Sequence, residues 1–224
     1  MIDKLKPLAA AIAVSIGYLV SFSCEAETVE NLTVLKETQE KSVAKQTLMS
    51  TLAQMNNLSA SFKQDVKDTS DELIQQGEGK FVIAKPNLMV WQTFLPDEST
   101  ITSDGETIWL FDPFIEQVTA YSLAQSVKNT PILLLTTTDE SLWDNYLVEG
   151  NLENGFHISS QDQDAQIKTL SLAFSGNVLT SFSFEDVTGQ KSYFSLADIQ
   201  MNQTLPNGLF SFEVPEGILL DDQR

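Results

Sequence analysis

Between Gly77 and Tyr121 the chain repeats one pattern: short apolar runs rich in aromatics, each closed by residues that turn a backbone. Phe81-Val82-Ile83-Ala84 ends at Lys85-Pro86, and Leu88-Met89-Val90-Trp91 ends at Pro96-Asp97. Ser103-Asp104-Gly105 then turns the chain into Ile108-Trp109-Leu110-Phe111, which stops at Asp112-Pro113. Runs of this length bounded by Pro, Gly and Asp predict consecutive antiparallel strands. A sheet so rich in large apolar side chains, with hardly a reactive group among them, points to a surface for hydrophobic cargo rather than to an active site.

The remainder of the chain extends that sheet. Residues 27–41 are polar and charged and read as a loose N-terminal extension or a helical lead-in. Ser42 is a good N-cap, and Leu48, Leu52 and Met55 recur behind it at helical spacing as far as Leu58. Ala60, Phe62, Gln64 and Val66 alternate as a strand. From Ser122 to Tyr146 the pattern changes: Thr130-Pro131 opens Ile132-Leu133-Leu134-Leu135, and Asp139-Glu140 opens a stretch around Leu142 and Trp143. These predict two short helices on a long crossover. Strands return at Phe156–Ile158, Thr169–Phe174, Val178–Phe184 and Ser192–Leu196, with Phe210, Phe212 and Val214 alternating in a last one. The expected fold is mainly β with helices: about eleven short antiparallel strands must curl, and more than about eight leave room inside. A cup of sheet with a helical lid satisfies both the sheet and the apolar helix faces. No repeat or linker marks a second domain.

The first residues read differently. Lys4 and Lys6 precede an apolar run from Leu8 to Phe22, shorter than the about 20 residues that span a bilayer. Cys24-Glu25-Ala26 puts small residues where a signal peptidase reads, so residues 1–26 are expected to be a cleaved secretory signal and 27–224 a single domain. Cys24 also stands where a lipidated N-terminal cysteine would, but that processing takes small residues just before it and Phe22 is bulky. Without lipidation the remaining chain holds no cysteine, hence no disulfide and no thiolate chemistry. Thirteen basic against 31 acidic residues give a net charge of −18, a field that repels phosphate backbones and anionic membrane surfaces and favours basic protein patches. Nucleic-acid binding is therefore not expected. The single histidine, His157, cannot build an ordinary zinc or copper site alone. Neither a nucleophile elbow, a phosphate loop nor a dinucleotide fingerprint occurs, so no enzyme activity, metal or cofactor is expected. Carboxylate pairs for a glycosidase-like mechanism stay open in a chain this acidic.

The order of particular motifs resembles one family. Lys85-Pro86-Asn87-Leu88 with Trp91, then Pro96-Asp97-Glu98, Ser103-Asp104-Gly105, Trp109, Asp112-Pro113-Phe114 and Glu116-Gln117 follow at spacings similar to those of the periplasmic outer-membrane lipoprotein carriers, the LolA family. Asn129-Thr130-Pro131, Val214-Pro215-Glu216-Gly217 and Asp221-Asp222-Gln223-Arg224 continue the likeness. The resemblance implies an unclosed antiparallel barrel capped by about three α-helices. It implies a monomeric periplasmic chaperone whose cargo is acylated lipoproteins, loaded by an inner-membrane ABC-type releasing complex and passed to an outer-membrane lipoprotein receptor. Residues expected to line a lipid-binding cavity are Phe81 and Ile83, Met89 and Trp91, and Trp109 and Phe111, each pair on one strand face at spacing two. Runs apolar on both faces leave open which face points inward. The lid side is expected from Leu48, Leu52 and Met55 with Leu133, Leu134 and Leu135. At Lys85 family members typically carry an arginine that latches the lid to its backbone carbonyls; lysine keeps the charge but loses the planar fork. A receptor lipoprotein or a lipid-sensing regulatory module of the same fold are the alternatives.

Overall fold

The structure, a computed structural model, describes residues 25–126 and 131–224. Residues Thr38–Arg224 form one compact unit; of the unit before it, the described residues 25–37 are helical. The expected signal segment lies outside the described residues except for Glu25 and Ala26. Among the described residues no helix is long and apolar enough to cross a membrane.

Helix α1 runs Glu25–Ala53, so it starts well before Ser42 and takes in residues 27–41. Its sequence contains neither glycine nor proline, leaving nothing to interrupt it ahead of the expected cap. Among the described residues twelve strands follow in one sheet. They are β1 (Asn57–Lys67), β2 (Leu73–Ala84), β3 (Leu88–Leu95), β4 (Ser99–Asp104), β5 (Thr107–Asp112), β6 (Gln117–Ser122), β7 (Tyr146–Asn151), β8 (Gly155–Ser160), β9 (Ile167–Ser175), β10 (Val178–Asp186), β11 (Lys191–Met201) and β12 (Leu219–Asp222). Their order is β12-β6-β5-β4-β3-β2-β1-β11-β10-β9-β8-β7. Two antiparallel meanders, β1–β6 and β7–β11, thus join where β1 pairs with β11. Edges remain at β7 and β12, so the sheet is open. Asparagine and aspartate side chains build several turns: the Asp104 carboxylate accepts from the N–H groups of Glu106 (2.9 Å) and Thr107 (2.7 Å), and Asp186 accepts from Thr188 (2.8 Å) and Gln190 (3.1 Å). Some of the chain's many acids are therefore turn caps.

The three-helix lid is not what covers this sheet. Among the described residues only α1 is a long helix; α2 (Leu123–Ser126) is a single turn, and Pro131–Leu135 and Glu140–Asn145 are 3-10 turns. A five-residue run, buried at Ile132–Leu135 and followed by three threonines, is too short to repay α-helix nucleation. Two further expectations change. Tyr146–Asn151, expected at the end of a crossover, is a strand. Phe210 to Val214 is not one: the Leu209 N–H turns back to the Pro206 carbonyl (3.4 Å) and the Ser211 N–H to Gly208 (3.1 Å). The last strand is instead β12, which pairs parallel with β6.

One glycine is required by packing. Gly79 lies opposite Phe62, and a Cβ there would sit 2.0 Å from the Gln92 carbonyl oxygen and 2.6 Å from the Phe62 ring. The missing side chain is what lets the ring cross β2. Gly79→Ala is expected to destabilise the fold by about 3 kcal/mol, the upper range for overpacking, read as a lowered urea midpoint at unchanged slope.

Candidate functional site

Strand register sorts the side chains into two faces. Phe81, Trp91, Ile101 and Leu110 are successive partners across β2 to β5, as are Ile83, Met89, Ser103 and Ile108. Across β1, β11, β10, β9 and β8 the same face carries Gln64, Phe194, Phe182, Leu172 and Phe156. This is the inner face. It shares one apolar core with Ala44, Leu48, Leu52 and Met55 of the α1 segment, with Ile132–Leu135 and with Trp143. The spacing of the first four places them along one stripe of the helix and its exit, all 6% exposed or less. The expected lid residues Leu48, Leu52, Met55, Leu133, Leu134 and Leu135 are thus brought together as a plug against the sheet. Phe81, Ile83 and Met89 lie buried beneath it, while Trp91 is half-buried.

Trp109 and Phe111 do not belong with them. Trp109 pairs with Thr102 and Ala120, so both β5 aromatics sit on the outer face, and Ile108 and Leu110 take the inner one. The reason is a second layer outside. The Phe212 ring lies 5.5 Å from Trp109 and 6.5 Å from Phe111, and the Arg224 guanidinium covers Trp109 at 5.1 Å. A strand apolar on both faces is packed on both, and periodicity alone gives no way to choose between them.

Beside the plug, at Ile132, a cavity of about 250 Å³ remains. Met89, Trp91 and Ile101 wall one side, Phe182, Phe184 and Phe194 the other, with Ile132, Ile167, Leu170 and Gln64 completing it. Trp91 anchors an aromatic cluster, 4.4 Å from Phe62, stacked on Phe81 at 5.1 Å and edge-on to Phe194 at 5.4 Å. Phe182 and Phe194 stack at 4.5 Å. The β10 and β11 aromatics, Ile101 and Ile132 are additions to the wall expected from sequence; alternation in Val178–Phe184 is the signal that points to the first of these.

Polar contacts tie the plug to the sheet, among them those of Asn177 and Asn202, whose amides donate to Gln54 at 2.9 Å each. The Lys85 ammonium donates to the Leu52 carbonyl in the last turn of α1 (2.7 Å), and its backbone N–H to Asn56 (2.9 Å). In the same turn the Asn87 N–H donates to Thr136 (3.2 Å), behind the 3-10 run, while Ser103 Oγ donates to the Asn87 carbonyl (2.6 Å). The β2–β3 turn therefore grips both plug elements, and no local pattern announces the Asn87 contact. Burial pushes the Lys85 ammonium below its ordinary pKa. The unfolded chain holds that proton more tightly, so this group alone adds stability as pH rises into the alkaline range. Surface pairs Lys45–Asp144 (2.9 Å) and Lys41–Glu149 (3.1 Å) add little. His157 is an exposed strand residue with Nδ1 3.1 Å from Ser171 Oγ. Among the described residues there is no group of three or more His, Cys, Asp or Glu side chains placed to hold a metal ion.

An open, largely antiparallel sheet with an aliphatic and aromatic inner face, a residual cavity and a helical plug held by polar ties defines a cup for hydrocarbon. The comparisons agree with that class. The pattern of the family described as outer membrane lipoprotein carrier protein LolA matches residues 53–213. The outer-membrane lipoprotein carrier protein of Pasteurella multocida is 40% identical over 178 residues, covering 79% of this chain and 86% of that protein. That of Shewanella sediminis is 37% identical over 177 residues, 79% of this chain and 85% of the relative. Among solved structures, a LolA superfamily protein from Nitrosomonas europaea has a TM-score of 0.46 at 13% identity, covering 74% of this chain and 98% of that one. The chain belongs to the LolA family of outer membrane lipoprotein carriers.

Proposed function

We propose that this protein is a periplasmic carrier that takes up the acyl chains of lipoproteins and delivers them to the outer membrane. The observation that carries the reading is the apolar cavity beside a plug. At about 250 Å³ it falls below the roughly 300–1,000 Å³ of small-molecule pockets, so two or three acyl chains do not fit while the plug is in place. Withdrawing α1 and the 3-10 run removes Leu48, Leu52, Met55 and Leu133–Leu135 from the inner face and opens their volume to cargo. Hydrocarbon contacts are undirected, so acyl chains replace the plug's contacts with the aromatic wall without a specific geometry. Each CH₂ buried in a bilayer contributes about 0.8 kcal/mol, which makes unaided crossing of an aqueous compartment negligible and a carrier necessary.

Lys85 serves as the latch of the empty state, holding Leu52, and the cavity wall is Met89 and Trp91 with the β10 and β11 aromatics. Trp109 and Phe111 take no part. An inner-membrane ABC-type complex supplies the energy of loading and an outer-membrane receptor accepts the cargo; residues 1–26 direct export. The test is direct. Purified protein mixed with a diacylated N-terminal cysteine peptide should elute as a soluble one-to-one complex, and the deacylated peptide should not bind. Equal binding of both peptides, or of neither, would refute the carrier reading.

A further inference from the structure

Gln64 is the one amide among the described residues lining the cavity; the others there are aliphatic, thioether or aromatic. It sits on the inner face of β1 between Phe62 and Val66. Its Nε2 makes a long bond to Ser192 Oγ, 3.4 Å, and its Oε1 lies over Gly77, where a Cβ would come within 3.1 Å. A primary amide offers two N–H donors and two acceptor positions, and Ser192 engages one of them. A cavity meant for hydrocarbon alone is better walled by leucine, because a polar group in apolar surroundings is unfavourable unless partnered. Acylated cargo is not hydrocarbon alone. Every chain joins its head through an ester or amide carbonyl, an acceptor that loses its water when the chain enters.

We propose that Gln64 donates an Nε2 hydrogen to the carbonyl joining an acyl chain to its cargo, so that it sets insertion depth and favours acyl over alkyl chains. This rests on the carrier reading and names the polar part of the ligand it reads. The test uses two cysteine peptides with the same pair of hexadecyl-length chains, ester-linked in one and ether-linked in the other, each displacing a hydrophobic fluorophore. The ester-linked peptide is expected to bind the wild-type protein about tenfold tighter, as one hydrogen bond allows. Gln64→Leu, or Gln64→Met should that variant not fold, should bring the two affinities together, and Ser192→Ala should keep the ratio. Each ratio is taken within one protein, so a general loosening of the fold cancels. A ratio of one in the wild type, an unchanged ratio without Gln64, or loss of the ratio in Ser192→Ala would overturn the proposal. Wild-type protein that takes up neither peptide would overturn the carrier reading, and the proposal with it.

Discussion

Trp91→Glu is expected to weaken binding of a diacylated peptide by at least about a hundredfold while the sheet stays folded. The carboxylate would replace an indole packed 4.4 Å from Phe62 and 5.1 Å from Phe81 at the cavity wall. In the empty protein, half-buried Trp91 has room for water beside it. Once acyl chains fill the cavity that water is expelled, and stripping an ionised group costs several kcal/mol; about 2.7 kcal/mol already accounts for a factor of 100. Titration of the peptide checks the affinity and near-UV circular dichroism checks the fold. Trp91→Phe should stay within a few-fold of wild type. Tight binding by a folded Trp91→Glu protein would show that cargo does not touch this wall. Glutamate at Met89, 1% exposed under the plug, is expected to unfold the protein instead.

Lys85→Leu is expected to shift the balance from release towards retention. Its ammonium bonds the Leu52 carbonyl at 2.7 Å only when α1 is seated. Removing a hydrogen bond from a charged donor takes about 1.5–3 kcal/mol from the closed form and leaves the open, loaded form untouched. Loading should therefore persist or tighten, and hand-off to acceptor membranes bearing the receptor should slow by about tenfold or more. Lys85→Arg should preserve hand-off or speed it, since the guanidinium can bridge two carbonyls. Transfer assays with a labelled lipoprotein read both. Equal rates in all three proteins would make Lys85 a solvated strand-end lysine whose bond to α1 has no role in release.

Much of this molecule is legible in its residues. The run from Phe81 to Phe111, cut by Pro, Asp and Gly, forms β2 to β5 in the order written, because tight turns permit only antiparallel neighbours. Leu48, Leu52 and Met55 fall on their buried stripe because helical spacing is a local property. The motif around Lys85 implies a bond to a backbone carbonyl across the mouth, and its ammonium lies 2.7 Å from the Leu52 carbonyl. Expectation and structure part where local pattern is silent. Ile132–Leu135 is apolar on every side, and burial on every side rather than helical periodicity governs its conformation. Val214 and its neighbours alternate like a strand, yet they pair with no strand; Phe212 packs on Trp109 instead.

The class of molecule is set locally: strand lengths by turn residues, a cup by the number of strands, and an aliphatic and aromatic interior by the residue types themselves. Which face becomes the inside is a matter of long-range packing. In β5 both faces are apolar, and the choice falls to distant partners: Phe212 and Arg224 cover Trp109 from outside, while the inner face carries Ile108 and Leu110. Local periodicity reports that a residue is buried. It cannot report against what, because the covering layer comes from the far C-terminal end of the chain, at Phe212 and Arg224.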